Sequence, residues 1–262
     1  LIVTIICIFV AFRGENYTSL FNHIKNIKKT FLVFSILILV FSCYIRALRW
    51  NYILSENSFN NMHSLFGSVM VGYFGNNVLP FRLGEVLRSY SATFYCNISF
   101  TTAIASVVLE RIMDLGFVII MFFLILPWFP VAVYDIVLGI GILSAVIICF
   151  FLMIGFNRYF GFLDILKNYK IFSNDLSEKL INTIEAFLNS ISSIKDSDYN
   201  IQIILLSIVL WIFYYLATYF ILLSFSLDLD FVSIWLIIII SSIAIGIPAL
   251  PGAIGTYEAG VK

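Results

Sequence analysis

Residues 101–126, TTAIASVVLERIMDLGFVIIMFFLIL, are apolar throughout except for a short central patch holding Glu110, Arg111 and Asp114. A run of roughly 20 apolar residues reads as a transmembrane helix. At about 1.5 Å per residue the three charges fall near mid-membrane, where each costs on the order of 2.5–3.5 kcal/mol on insertion scales. Groups so placed must face protein or water. Glu110 and Asp114 share a helix face at i and i+4, and Arg111 can pair with Asp114 at i and i+3. Two readings stand side by side: an ion pair that ties helices together, and a polar site with a function.

The rest of the chain has the same character. Of its 262 residues 61% are hydrophobic, 17% aromatic and only 11% charged, and the mean hydropathy is +1.03. A soluble domain carries about 25% charged residues, so a soluble enzyme, a nucleic-acid binder and a disordered chain are excluded. Fifteen Lys and Arg balance fifteen Asp and Glu, and the placement of charge matters more than its sum. Cys7, Cys43, Cys96 and Cys149 stand singly in or beside apolar runs, as small packing residues rather than disulfide or metal partners.

Counting from charge to charge gives further segments at 30–54, 62–79, 133–156, 201–226 and 233–250. The opening LIVTIICIFVAF supplies about half a span, so the chain is expected to begin within a helix, and its last residues GAIGTYEAGVK to lead toward another. The sum is an all-α polytopic membrane protein with about seven membrane segments. Two of these, rich in Gly and Pro, are either spanning or re-entrant. Basic residues cluster at Arg13 to Lys29, at Arg82 and Arg88, and between Arg158 and Lys195, whereas 55–61, 127–132 and 227–232 contain none. The positive-inside rule places the first set in the cytoplasm and the second outside. Residues 157–200 carry Leu180, Ile184, Phe187, Leu188 and Ile191 at helical spacing, as an amphipathic surface helix or a connector packed on the bundle.

Three further places draw notice. In CYIRALRWNYIL, Arg46 and Arg49 lie near the outer end of their segment, where they either snorkel to the interface, counter Glu110 and Asp114, or bind a lipid phosphate; Trp50 and Tyr52 fit an interfacial belt. In GYFGNNVLPFRLGEVLRSY, Gly72, Gly75, Asn76, Asn77 and Pro80 are expected to break the helix, with a new one starting around Arg82 and a charge ladder of Arg82, Glu85 and Arg88. Its N-terminus would attract an anionic head group, against the plainer reading of a loop with positive-inside arginines. The break recurs in IGIPALPGAIGTYEAG, with Gly246, Pro248, Pro251, Gly252, Gly255 and Glu258. Paired Gly/Pro-interrupted segments point to a transporter's binding site.

Taken in order, ALRWNYIL, NNVLPFRLGEVLRSY, VVLERIMDLG and LPGAIGTYEAG resemble the membrane region of lysylphosphatidylglycerol synthases and related stand-alone flippase-like membrane proteins, over roughly residues 30–262. The resemblance implies movement of a phospholipid, an aminoacylated phospholipid or a polyprenyl-linked lipid between leaflets of a prokaryotic cytoplasmic membrane, without a cofactor. It maps a substrate-binding pattern onto Asn76, Pro80, Arg82, Gly84, Glu85 and Arg88, a second onto Glu110, Arg111 and Asp114, and a third onto Pro251, Gly252, Gly255 and Glu258. Asn77, Arg46 and Arg49 join the candidate set from their positions. The soluble aminoacyl-transferring domain of true synthases has no counterpart in these residues, so lysyl transfer by this chain is not implied.

Two other function classes compete. An intramembrane transferase would need a placed acid, base or metal; Asp228-Leu229-Asp230 has an Asp-x-Asp form but lies in a short loop, and His23 and His63 are isolated. A membrane partner of a soluble transferase would dock it through 157–200 and tolerate loss of the intramembrane charges. The expected partners are membrane lipids, with no nucleic acid.

Overall fold

A computed structural model describes residues 25–54, 61–79, 83–128 and 199–246. Every regular element among them is helical: α1 Lys29–Leu54, α2 Met62–Val78, α3 Gly84–Cys96, α4 Phe100–Ile125 with a 3₁₀ turn at Leu126–Trp128, α5 Asn200–Ser224 and α6 Phe231–Gly246. α1 and α5 are each long and apolar enough to cross a membrane. α4, with 26 residues, has the same reach and differs only in its charges. The segment 133–156, the partial helix at the start and nearly all of the amphipathic stretch 157–200 lie outside the described residues.

Local signals set the helix ends. Asn61 caps α2 by accepting the His63 amide at 3.0 Å, and Ser99 caps α4 by accepting the Thr102 amide at 3.1 Å. Asn97, at φ 55°, closes α3 in the left-handed region that Asn tolerates. Asp230 accepts the Val232 amide at 3.2 Å and a hydrogen bond from the Ser233 hydroxyl, which makes the Asp-x-Asp pair a helix start. The Ser233 hydroxyl, aided by backbone amides, holds the exposed Asp230 carboxyl below the usual aspartate range. Its capping contribution is therefore complete at neutral pH and fades only as acid carries the pH down through that lowered value.

Pairings across helices define the arrangement. Lys28 donates its amide to the Ser224 carbonyl at 2.9 Å, Ser35 its hydroxyl to the Ala217 carbonyl at 2.9 Å, Arg49 reaches Ser207 at 3.0 Å, and Tyr52 packs on Tyr199. Numbers rise along α1 as they fall along α5, so the two helices are antiparallel. Trp50 with Ser106 and Arg46 with Glu110 make α4 antiparallel to α1 in the same way.

The segment 62–79 packs against the helix that follows it. Gly72 lies against Arg88, Gly75 against Gly84, and Ser68 against Ser91 at 3.1 Å, which makes α2 and α3 an antiparallel hairpin. Its outer ends, Leu65 and Ala92, share one core with Ile53, Leu54, Ala103 and Ile203, at the end of the bundle where α1 finishes and α4 and α5 begin. α2 and α3 extend about 25 Å and 20 Å, each shorter than a hydrocarbon layer of about 30 Å. The helix does not break at Gly72, Gly75, Asn76 or Asn77 but runs on to Val78. These glycines instead allow close approach: a Cβ on Gly75 would lie 2.7 Å from the Gly84 Cα.

This hairpin changes the sidedness that charge counting gives. α2 begins and α3 ends at one end of the bundle, where α1 finishes and α4 begins. The loop after α5 thus lies at the same end as Lys28, through the Lys28–Ser224 hydrogen bond, and not opposite the basic N-terminal cluster. Arg88 is no loop arginine either: it is 3% exposed within the hairpin.

Two apolar cores stack along α4. One holds Ala103 and Val107 with Trp50 and Leu65; the other holds Val118, Phe122 and Ile125 with Trp211, Ile234 and Trp235. The charges at 110, 111 and 114 fall between them in sequence. Phe34, Leu37 and Phe41 on α1 and Ile201, Leu205 and Ile212 on α5 are exposed, as suits side chains whose solvent is hydrocarbon.

Candidate functional site: an ionic layer within the membrane

Arginines from two other helices converge on Glu110, which is fully buried. Its Oε1 accepts from Arg46 Nη1 at 2.7 Å and lies 3.3 Å from Arg49 Nη2. Its Oε2 accepts from Arg88 Nη2 at 2.9 Å. One turn further along α4, Asp114 lies 2.8 Å from Arg49 Nη2 and 3.5 Å from Arg46 Nη2. The i, i+4 spacing thus presents both carboxylates to two arginines that are themselves one turn apart on α1. Isolated ions at this depth would be prohibitively costly; paired at these distances, they hold α1, α3 and α4 in register.

Neutral groups complete the inner part. Arg46 Nη2 donates to Tyr214 Oη at 2.7 Å. The Arg88 guanidinium stacks 3.9 Å above the Trp50 ring, and the Trp50 indole N–H donates to Ser106 Oγ at 2.8 Å. Trp50 is therefore no member of an interfacial belt: it is fully buried, and Arg46 and Arg49 do not snorkel. Tyr214, Ser207 and Ser106 are partners that the sequence did not single out; isolated hydroxyls in apolar helices were the available signal. Tyr214→Phe should cost about 1.5 kcal/mol of stability, the worth of a hydrogen bond to a charged group, read as a lowered Tm in detergent.

The outer part is more open. Arg111 Nε lies 2.7 Å from Glu85 Oε1 and its Nη1 3.7 Å from Asp114 Oδ2. The Arg111, Glu85 and Asp114 side chains are 32%, 23% and 14% exposed, against 0% for Glu110. Glu85 sits in the first turn of α3, where the helix dipole favours a negative charge. The ladder expected within α3 is not formed by the described residues: Glu85 turns to Arg111 on α4, and Arg88 to Glu110.

Of the expected site residues, Arg46, Arg49, Glu85, Arg88, Glu110, Arg111 and Asp114 are brought together here. Gly84 and Asn76 lie in the α2–α3 contact instead, while Asn77 is exposed and bonds back to the Tyr73 carbonyl at 2.9 Å. Pro80, Arg82, Pro251, Gly252, Gly255 and Glu258 lie outside the described residues. Of the cysteines, Cys43 and Cys96 are free and half-buried.

Apolar helices long enough to cross a bilayer and a paired ionic layer between apolar cores define a polytopic helical membrane protein. Over residues 1–261 the chain matches the family described as the lysylphosphatidylglycerol synthase TM region, and it belongs to that family. It is also 26% identical, over 98% of its own length and 82% of the relative's, to a UPF0104 membrane protein of Pyrococcus horikoshii. No solved structure matches.

Proposed function

We propose that this chain translocates a lipid with a phosphate-bearing head group between the leaflets of a prokaryotic cytoplasmic membrane. The lipid is a phospholipid, an aminoacylated phospholipid or a polyprenyl-linked carrier. The observation that supports this best is the part-exposed Arg111–Glu85–Asp114 edge of the ionic layer, beside the N-terminus of α3. Broken helices whose positive ends sit at mid-membrane suit anionic substrate groups. The reading keeps about seven membrane segments, and the Gly/Pro-rich stretch near Pro251 and Glu258 lies outside the described residues.

The division of labour follows from burial. Glu110 with Arg46, Arg49 and Arg88 forms the framework, and Arg111, Glu85 and Asp114 form the contact surface. The test is leaflet exchange of head-group-labelled lipids in liposomes, followed by dithionite quenching. The parent should exchange the label, and Arg111→Gln and Asp114→Asn, checked for folding by gel filtration, should exchange it at least tenfold more slowly. Equal rates in the parent, both variants and protein-free liposomes would end the proposal.

A further inference from the structure

The Arg88 side chain is held on three sides. A Cβ on Gly72 would lie 3.0 Å from the Arg88 Cβ and 3.4 Å from its Cδ, so α2 walls the stem. The Arg88 Nη2 reaches Glu110 Oε2 at 2.9 Å, and the guanidinium lies 3.9 Å above the Trp50 ring. A buried guanidinium has lost the water that would cover its face. The negative face of an indole attracts the cation in place of that water, and Trp does so best among the aromatic side chains.

The ring is in turn fixed from α4. Trp50 Nε1 donates to Ser106 Oγ at 2.8 Å, and the Ser106 hydroxyl donates to the Ala103 carbonyl at 2.7 Å. Trp50 and Ser106 are both fully buried, so the pose of the indole is set by protein and not by solvent.

Arg88 and Glu85 share a face of α3 at i and i+3, about 4.5 Å apart along the axis. Their partners Glu110 and Arg111 are neighbours on α4. The two helices therefore meet through a crossed pair of bridges, Arg88 to Glu110 within the layer and Arg111 to Glu85, at 2.7 Å, on its part-exposed side. The height and rotation at which Arg88 is held against α4 set where Glu85 arrives.

Resting on the translocation reading, we propose that Trp50 is a positioning residue: oriented by Ser106, it clamps Arg88 onto Glu110 and so seats Glu85 against Arg111 on the surface that meets the lipid head group. Trp50 acts through Arg88 and not on the lipid itself.

The test reads geometry and transport separately, so its failure is distinct from that of the translocation reading. Spin labels are placed at Val86→Cys on α3 and Leu115→Cys on α4, both exposed, in the full chain with its four cysteines replaced by Ser. The distance between them is measured by pulsed electron paramagnetic resonance in nanodiscs. Trp50→Leu should shift or broaden that distance and slow leaflet exchange about tenfold. Trp50→Phe, which keeps a ring beneath Arg88, should recover most of the parent's distance and exchange. Ser106→Ala, which keeps the indole but frees it, should broaden the distance less than Trp50→Leu does. A folded Trp50→Leu protein with the parent's distance and exchange, whatever its Tm, would overturn the proposal, as would a Trp50→Phe protein no better than Trp50→Leu. If Trp50→Leu does not fold, Ser106→Ala decides, and a distance identical to the parent's sinks the idea. A parent that exchanges no lipid ends the translocation reading alone, while the distance still judges Trp50.

Discussion

Glu110→Ala is expected to lose about 3–5 kcal/mol of stability, the cost of breaking a buried ion pair by removing one partner. Arg88 would lose its carboxylate, Arg46 its 2.7 Å contact, and Arg49 would keep only Asp114 as a carboxylate partner. The strain falls on α1, α3 and α4 together, so the loss should appear as a cooperative drop in the midpoint of denaturant unfolding in micelles. The double variant Glu110→Leu, Arg88→Leu should be less destabilised than Glu110→Leu alone, since it leaves fewer uncompensated charges at the same place. A Glu110→Ala protein within 1 kcal/mol of the parent would mean that water or lipid reaches the layer and that the framework role assigned to Glu110 is wrong.

The second large effect is steric. A Cβ on Gly84 would overlap the Gly72 carbonyl oxygen and the Asn76 amide nitrogen. Both are backbone atoms of α2 that no rotamer change can move aside. Gly84→Ala should therefore force the hairpin apart, at about 1–3 kcal/mol for overpacking of this kind. It should also move Glu85 and Arg88, which follow on the same helix, away from Arg111 and Glu110. Gly67→Ala and Gly116→Ala are the controls: nothing lies within 4 Å of either added Cβ, and helix propensity favours Ala over Gly by up to about 1 kcal/mol. These two should leave the Tm unchanged or raise it. Thermal unfolding of all three variants, together with leaflet exchange, checks the pattern; a Gly84→Ala protein as stable and active as the controls would remove the hairpin contact from the account.

Much of the fold is legible in the sequence because hydropathy and capping are local. The segments 30–54, 62–79, 101–126 and 201–226 match α1, α2, α4 and α5 to within a residue or two, since each is bounded by charges or by an Asn or Ser cap. The i, i+4 pairing of Glu110 with Asp114 was legible for the same reason. Gly72 and Gly75 were misread because glycine marks both a helix break and a close helix contact, and only the neighbour decides between them. Trp50 was misread because an aromatic near a segment end looks interfacial until a partner such as Arg88 covers it.

The sequence by itself determined that this protein lives in the membrane, which segments are helices, and which charged residues must be sheltered at mid-depth. Hydrocarbon tests each segment one at a time for apolar length and unpaired charge. The tertiary structure alone decided that Glu110 takes three arginines from two other helices, that Glu85 belongs to Arg111, and that α2 and α3 pack antiparallel on each other. Those outcomes depend on the register between helices. Span counting treats every apolar segment alone, and the hairpin in which Gly84 meets Gly72 and Gly75 rests on contacts no single segment contains.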